Sequence, residues 1–256
     1  MKASAQPTQA MTGQMLASAA LAIPPLLWTG LPALSAWPWI VASTVLCMAA
    51  VTALLRGYEH GGFGVVYPMS RAASVLLVLP LAAAVAGEWP SMLGLVGVIL
   101  VSAAVMMLAL ARGKTSAMTR TALLWTLAAA ACTAGYTVSD ARGVRQAQSA
   151  ISYGCTLSII NGLLFTLLQR RSGLRLGALR AQWPRALPLA LAATLSYWLI
   201  LWVWTYAPIA LASALRDTSA VFATVIALTV LKEPFDRNAL LAVGLATAGA
   251  ILIRLG

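Results

Sequence analysis

The sequence is short of acid, histidine and cysteine. Its 256 residues hold six Asp and Glu, one His and three Cys. Cys47, Cys132 and Cys155 each sit inside an apolar run and none forms a Cys-x-x-Cys pair, so with a single histidine no zinc set can be assembled. The three thiols read as small packing residues. No Gly-x-Ser-x-Gly turn is present. Gly113-Lys114-Thr115 is not the tail of a phosphate loop, because Leu108 stands where that motif needs its first glycine. The inventory therefore offers no metal site, calls for no cofactor and argues against an enzyme.

Charge is scarce as well. Charged residues make up 9% of the chain and hydrophobic ones 61%, against about 25% and about 45–50% in soluble domains. A soluble fold, disorder and a collagen-like chain are excluded. What the chain has instead is long apolar runs, nine of them: about 11 to 30, 37 to 56, 64 to 86, 92 to 111, 120 to 139, 149 to 168, 184 to 205, 208 to 231 and 238 to 255. Each approaches the roughly 20 residues that cross a bilayer as a helix. A barrel would need alternating strands of about ten residues, so the fold class is all-α, a polytopic membrane bundle of about nine helices. The first run could pass for a signal-peptide core behind Lys2, but Pro24-Pro25 interrupts it and eight more runs follow.

The basic excess, +11 net, would suggest nucleic acid in a soluble protein. Here it is orientation information, and no nucleic acid is expected. Lys2, Arg56, Arg112, Lys114, Arg120, Arg170, Arg171, Arg175, Arg180, Arg185, Lys232 and Arg237 fall on one side, and Arg142, Arg145 and Arg254 on the other. The first set is placed in the cytoplasm and the protein in the inner membrane, with the N-terminus inside and the C-terminus outside. The basic stretch after Gln169 reads as a surface charge anchor.

An internal repeat organises the chain. A shift of 145 residues lays Arg71 on Arg216, Ser74 on Ser219, Glu88 on Glu233, Val98 on Val243 and Leu100 on Leu245. The third and fourth spans thus correspond to the eighth and ninth, the second to the seventh and the first to the sixth. The fifth has no counterpart before Met1. Residues 1–112 form a four-helix repeat and 113–256 a five-helix repeat, of opposite orientation because five is odd. The expectation is a helix that is absent or lost to a start assigned too far downstream.

Two arginines belong to neither side. Arg71 and Arg216 lie seven and eight residues into their spans, roughly 10 Å along a helix. Such a charge is costly at that depth and usually faces a cavity, which is favoured here over snorkelling because both repeats carry it. Asp217 is turned about 100° from Arg216, so each needs another partner. Asp140 lies one turn beyond Tyr136 at the end of the fifth span, where a solvated helix end is favoured over a proton-coupling or amine-binding acid. Trp198, Trp202 and Tyr206 share a face of the seventh span, as interface anchors or as an aromatic wall. His60, in Glu59-His60-Gly61-Gly62, is an ordinary loop residue, and Glu88 and Glu233 precede prolines in matching hairpins and help end helices. Ala242, Ala246 and Ala250 mark close helix packing.

The stretch from Tyr58-Glu59-His60-Gly61-Gly62 through Val66-Tyr67-Pro68-Met69-Ser70-Arg71 resembles a helix opening in one branch of the EamA-type permeases of the drug/metabolite transporter superfamily. The tail from Pro208 through Arg216-Asp217-Thr218-Ser219, Leu231-Lys232-Glu233-Pro234, Gly244 and Gly249 is similar to the end of that family's repeat. The resemblance implies ten helices in two inverted repeats around a central cavity, of which this chain lacks the first. It also implies cavity-lining roles for Tyr67, Arg71, Arg216 and Asp217. The candidate binding set is therefore Tyr67, Arg71, Tyr136, Asp140, Trp198, Trp202, Arg216 and Asp217.

The expected function is a secondary transporter, an exporter, of a small metabolite, amino acid or drug-like solute by alternating access. Its partners would be the solute and the lipid bilayer, with a homodimer left open. The alternative is a non-transporting membrane subunit that needs a partner to complete its bundle.

Overall fold

A computed structural model describes residues 7–61, 63–112, 119–172, 177, 183–219 and 237–255. Among them are nine α-helices and no strand: α1 (Pro7–Thr29), α2 (Trp37–His60), α3 (Phe63–Ala86), α4 (Met92–Arg112), α5 (Arg120–Gln146), α6 (Ala150–Arg171), α7 (Trp183–Trp204), α8 (Ile209–Asp217) and α9 (Arg237–Leu255). Six of them are long and apolar enough to cross a membrane; the described parts of α4 and α9 are shorter but apolar. On α7, Leu187, Leu191, Leu195 and Leu199 recur every fourth residue and are all exposed. A soluble protein would bury such a stripe, whereas a bilayer solvates it. The molecule is an all-α polytopic membrane bundle.

Two expectations about span ends need correction. The fifth helix runs on to Gln146 instead of stopping near 139. Val138, Ala141 and Val144 are buried at intervals of three, so this last segment packs as helix core. Asp140 is consequently interior, 1% exposed, and not a solvated helix end. The eighth span, expected as one helix over 208 to 231, holds a nine-residue helix closing at Asp217 with Thr218 as C-cap. Ser219 is helical again after Thr218, and the span from 220 on, like Lys232, Glu233 and Pro234 beyond it, lies outside the described residues.

The chain forms two compact units, and each draws on both halves of the sequence. Residues 1–48 and 139–206 make one, with α1, the start of α2, the end of α5, α6 and α7. Its helices close up over glycine. A Cβ on Gly162 of α6 would come within 2.7 Å of the Ala19 Cβ on α1, and one on Gly154 within 2.6 Å of the Trp198 ring on α7. In lipid, association rests on such close packing instead of a hydrophobic drive.

Residues 49–138 and 207–256 make the other unit. Its principal contact is α4 on α9, where Gly97 and Gly249 meet backbone to backbone: a Cβ on either would lie 2.7 Å from the other's carbonyl oxygen. Ala104, Ala242 and Ala246 extend that seam as a buried cluster, as the four-residue spacing of alanines implied. In the first unit α1 packs most on α6. Both pairs join helices that the 145-residue shift makes equivalent.

Helix ends are secured by single side chains. Thr119 accepts from Ala122 N–H at 3.1 Å at the start of α5 and donates to the His60 carbonyl at 3.2 Å at the end of α2. Gly87, at φ +68°, closes α3, with Gly87 N–H on Ala83 O and Glu88 N–H on Ala82 O. The first bond, from the residue after the helix to the carbonyl four before it, is that of an αL cap, which needs the left-handed conformation glycine adopts freely.

Candidate functional site

The two acids that the described helices bury, Asp217 and Asp140, each have polar side-chain partners, one acid in each unit. In the second unit α3 carries Arg71 eight residues past its first, about 12 Å along the axis at 1.5 Å per residue. Its Nη2 donates to Asp217 Oδ1 and the two form an ion pair, with side-chain exposures of 24% and 6%. Asp217 thus finds the separate partner that its angle from Arg216 required. The arginine meets the C-terminal end of α8, where the helix dipole also favours a cation. Tyr67 and Tyr136 lie close enough to interact electrostatically with the guanidinium. Ser74 donates to the Arg71 carbonyl at 2.8 Å, a back-bond that occupies this polar side chain within its own helix. Asp217 Oδ2 is buried and has no hydrogen-bond partner among the described residues. Arg216 is half-exposed, and no ion pair of it falls among the described residues.

In the first unit Asp140 accepts from Tyr197 at 2.7 Å on Oδ2 and from Tyr153 at 3.3 Å on Oδ1. Tyr153 is fully buried against Gly143, where the absence of a side chain makes room for its ring. The Cys47 thiol interacts electrostatically with the same carboxyl. Neither tyrosine was singled out with Asp140 from the sequence. They lie 13 and 57 positions away, and no local spacing announces either contact. Arg142 sets its guanidinium carbon 5.8 Å from the centroid of the Trp39 ring, and Arg145 donates from Nε to the Trp204 carbonyl at 2.8 Å.

The aromatic face of α7 divides. Trp202 and Tyr206 are exposed and meet edge to face at 5.5 Å, as interface residues do. Trp198 packs over Gly154, and its indole Nε1 is buried without a partner among the described residues. The candidate residues therefore group as Tyr67, Arg71, Tyr136 and Asp217 in one unit and Asp140 with Tyr153, Tyr197 and Trp198 in the other.

A hairpin acid also does more than end its own helix. Glu88 Oε2 accepts from Ile209 N–H at 2.7 Å, and so caps the start of α8 with a negative charge where the dipole favours one.

Lipid-facing apolar stripes, glycine-mediated helix crossings and charged groups held inside spans define a multi-pass helical membrane protein. The EamA-like transporter family profile matches residues 120–255, more than half of the chain, and the protein belongs to that family. It is a membrane transporter. Twenty-four chains of known structure are similar. One of them, titled only as the crystal structure of a protein, superposes with a TM-score of 0.79 at 16% identity, over 98% of this chain and 88% of that one; it supports the fold alone. No curated protein sequence matches the chain.

Proposed function

We propose that the protein is a secondary transporter, an exporter of a small solute bearing a carboxylate or phosphate, which works by alternating access in the inner membrane. The observation that carries this reading is the Arg71–Asp217 pair inside the spans. A guanidinium held in place by a carboxylate at this depth is a ready anion site: a solute anion exchanges with Asp217 and receives the same fork of donors. Asp217 Oδ2, without a partner among the described residues, is an acceptor for a donor on the same solute. Tyr67 and Tyr136 flank that site. Arg216, Asp140, Trp198 and Trp202 are proposed as further residues that contact solute during the cycle, and the two repeats, 1–112 and 113–256, as the parts that alternate access. The major basic loops are cytoplasmic, in keeping with the positive-inside bias. The solute and the lipid bilayer are the partners, and a homodimer is compatible with this arrangement.

The test is a flux screen in lipid vesicles. Vesicles holding the purified chain are loaded in turn with amino acids, organic acids and phosphorylated sugars. Arg71→Ala and Arg216→Ala are expected to abolish flux of the active solute while the protein remains helical and monodisperse. Unchanged flux in both variants would remove the arginines from the site, and no flux with any anionic solute would defeat the reading itself.

A further inference from the structure

Two acids are buried in the described membrane helices, and their partners differ in kind. Asp217 faces the Arg71 guanidinium, a group that only donates. Asp140 faces two phenol hydroxyls, from Tyr197 and Tyr153. A hydroxyl donates or accepts, so the same geometry satisfies Asp140 whether it is ionised or neutral. We propose that Asp140 is a proton-binding site of the transport cycle, the group through which solute movement is coupled to a proton. The proposal rests on the reading of the chain as a secondary transporter and names its coupling ion.

The step is a proton transfer with no change of oxidation state. A proton from water bonds to Oδ2, and Tyr197, which had donated to that oxygen, turns its hydroxyl to accept from the new O–H. On release the O–H bond breaks, the proton returns to water and Tyr197 donates again. Among the titratable groups that face the carboxyl are Tyr153 from α6, Tyr197 from α7 and the Cys47 thiol from α2. On α5 itself the charged side chains are Arg142, set over Trp39, and Arg145, bonded to the Trp204 carbonyl.

The same unit buries further polar atoms. Thr44 Oγ1, Asn161 Oδ1, Thr194 Oγ1, Trp198 Nε1 and Trp204 Nε1 are buried without a hydrogen-bond partner among the described residues. Thr44 is one turn from Cys47 on α2, and Thr194 and Trp198 sit one turn before and directly after Tyr197 on α7. Buried polar groups nearly always bond something, and water is the usual partner when protein is not.

Acid–base infrared difference spectra of the full chain in lipid test this directly, with the proton as the probe. The chain has only six Asp and Glu, so the carbonyl band of one protonated carboxylic acid stands out. Wild type is expected to show that band on acidification, Asp140→Asn to lose it, and Tyr197→Phe to shift both its frequency and its midpoint. Asp217→Asn is expected to leave it in place. A band of wild-type amplitude in a folded Asp140→Asn protein would overturn the proposal. Where that variant fails to fold, Asp140→Glu takes its place, and an unshifted band there would overturn it equally. In the vesicle screen, a pH profile of solute flux that is the same in wild type and Asp140→Glu also counts against it. Absence of any flux in wild type would instead defeat the transporter reading, while the infrared band still decides whether Asp140 takes up a proton.

Discussion

Arg71 and Asp217, 146 positions apart in the chain, form an ion pair within one compact unit. The 145-residue repeat places Arg71 on Arg216, but it places Asp217 on Ala72. The arginine is duplicated and its acid is not. One arginine is neutralised inside the fold, and the other is left to a different partner or to a solute.

Breaking this pair from either side exposes the cost of a membrane-buried charge. Arg71→Ala and Asp217→Ala are each expected to destabilise the protein by about 3–5 kcal/mol, because each strands its partner. The double variant should recover much of that loss. Thermal unfolding of all four proteins in one lipid mixture gives the coupling energy, and additive losses would show that the two side chains do not act as a pair.

The crossing of α4 and α9 makes an independent prediction about stability. A Cβ at Gly97 would stand 2.7 Å from the Gly249 carbonyl oxygen and 2.9 Å from the Ile253 backbone nitrogen, both backbone atoms with no rotamer to yield. Gly97→Ala is expected to cost about 1–3 kcal/mol through overpacking. Gly244, on the same helix α9, has nothing within 4 Å of its Cβ position, so Gly244→Ala should be neutral or slightly stabilising. Unfolding temperatures that fell equally for both would mean that helix chemistry, and not the crossing, sets the effect.

Glu88 supports the start of α8 through Ile209 N–H. Glu88→Gln keeps an acceptor and loses the charge, a loss of about 0.3–1 kcal/mol. Glu88→Ala also leaves the N–H unmet and should cost about 1 kcal/mol more. Hydrogen exchange at Ile209 and Ala210 reports this locally. Protection unchanged in Glu88→Ala would place the cap elsewhere.

Helix placement was legible in the sequence because lipid demands an unbroken apolar run, and the runs beginning near 37, 64, 92 and 120 each gave a helix within a residue of that point. The end of α5 was misjudged because Asp140, Arg142 and Arg145 look like a loop. The contrary signal was the spacing of Val138, Ala141 and Val144, a buried stripe that continues the helix. The repeat brought out Arg71 and Arg216 but not their fates, since a salt bridge depends on which acid the fold delivers. Tyr153 and Tyr197 were illegible as Asp140 partners for the same reason. An aromatic in an apolar span looks alike whether its hydroxyl meets headgroups or a carboxylate.

The asymmetry at position 72 is the sharpest test of the repeat itself. If a two-fold axis relates α3 to α8, which pack on each other, then the contact of Arg71 with Asp217 has a mirror between Arg216 and position 72. That position holds a buried alanine, 1% exposed. A carboxylate introduced there would normally be severely destabilising, as an unpaired buried charge is. With Arg216 in reach it acquires a counter-ion. Ala72→Asp should therefore be better tolerated in the wild-type background than in Arg216→Ala, by a coupling of at least about 1 kcal/mol, and it should weaken flux of any anionic solute that uses Arg216. Equal destabilisation in both backgrounds would mean that the two arginines, although aligned in sequence, do not occupy symmetric sites.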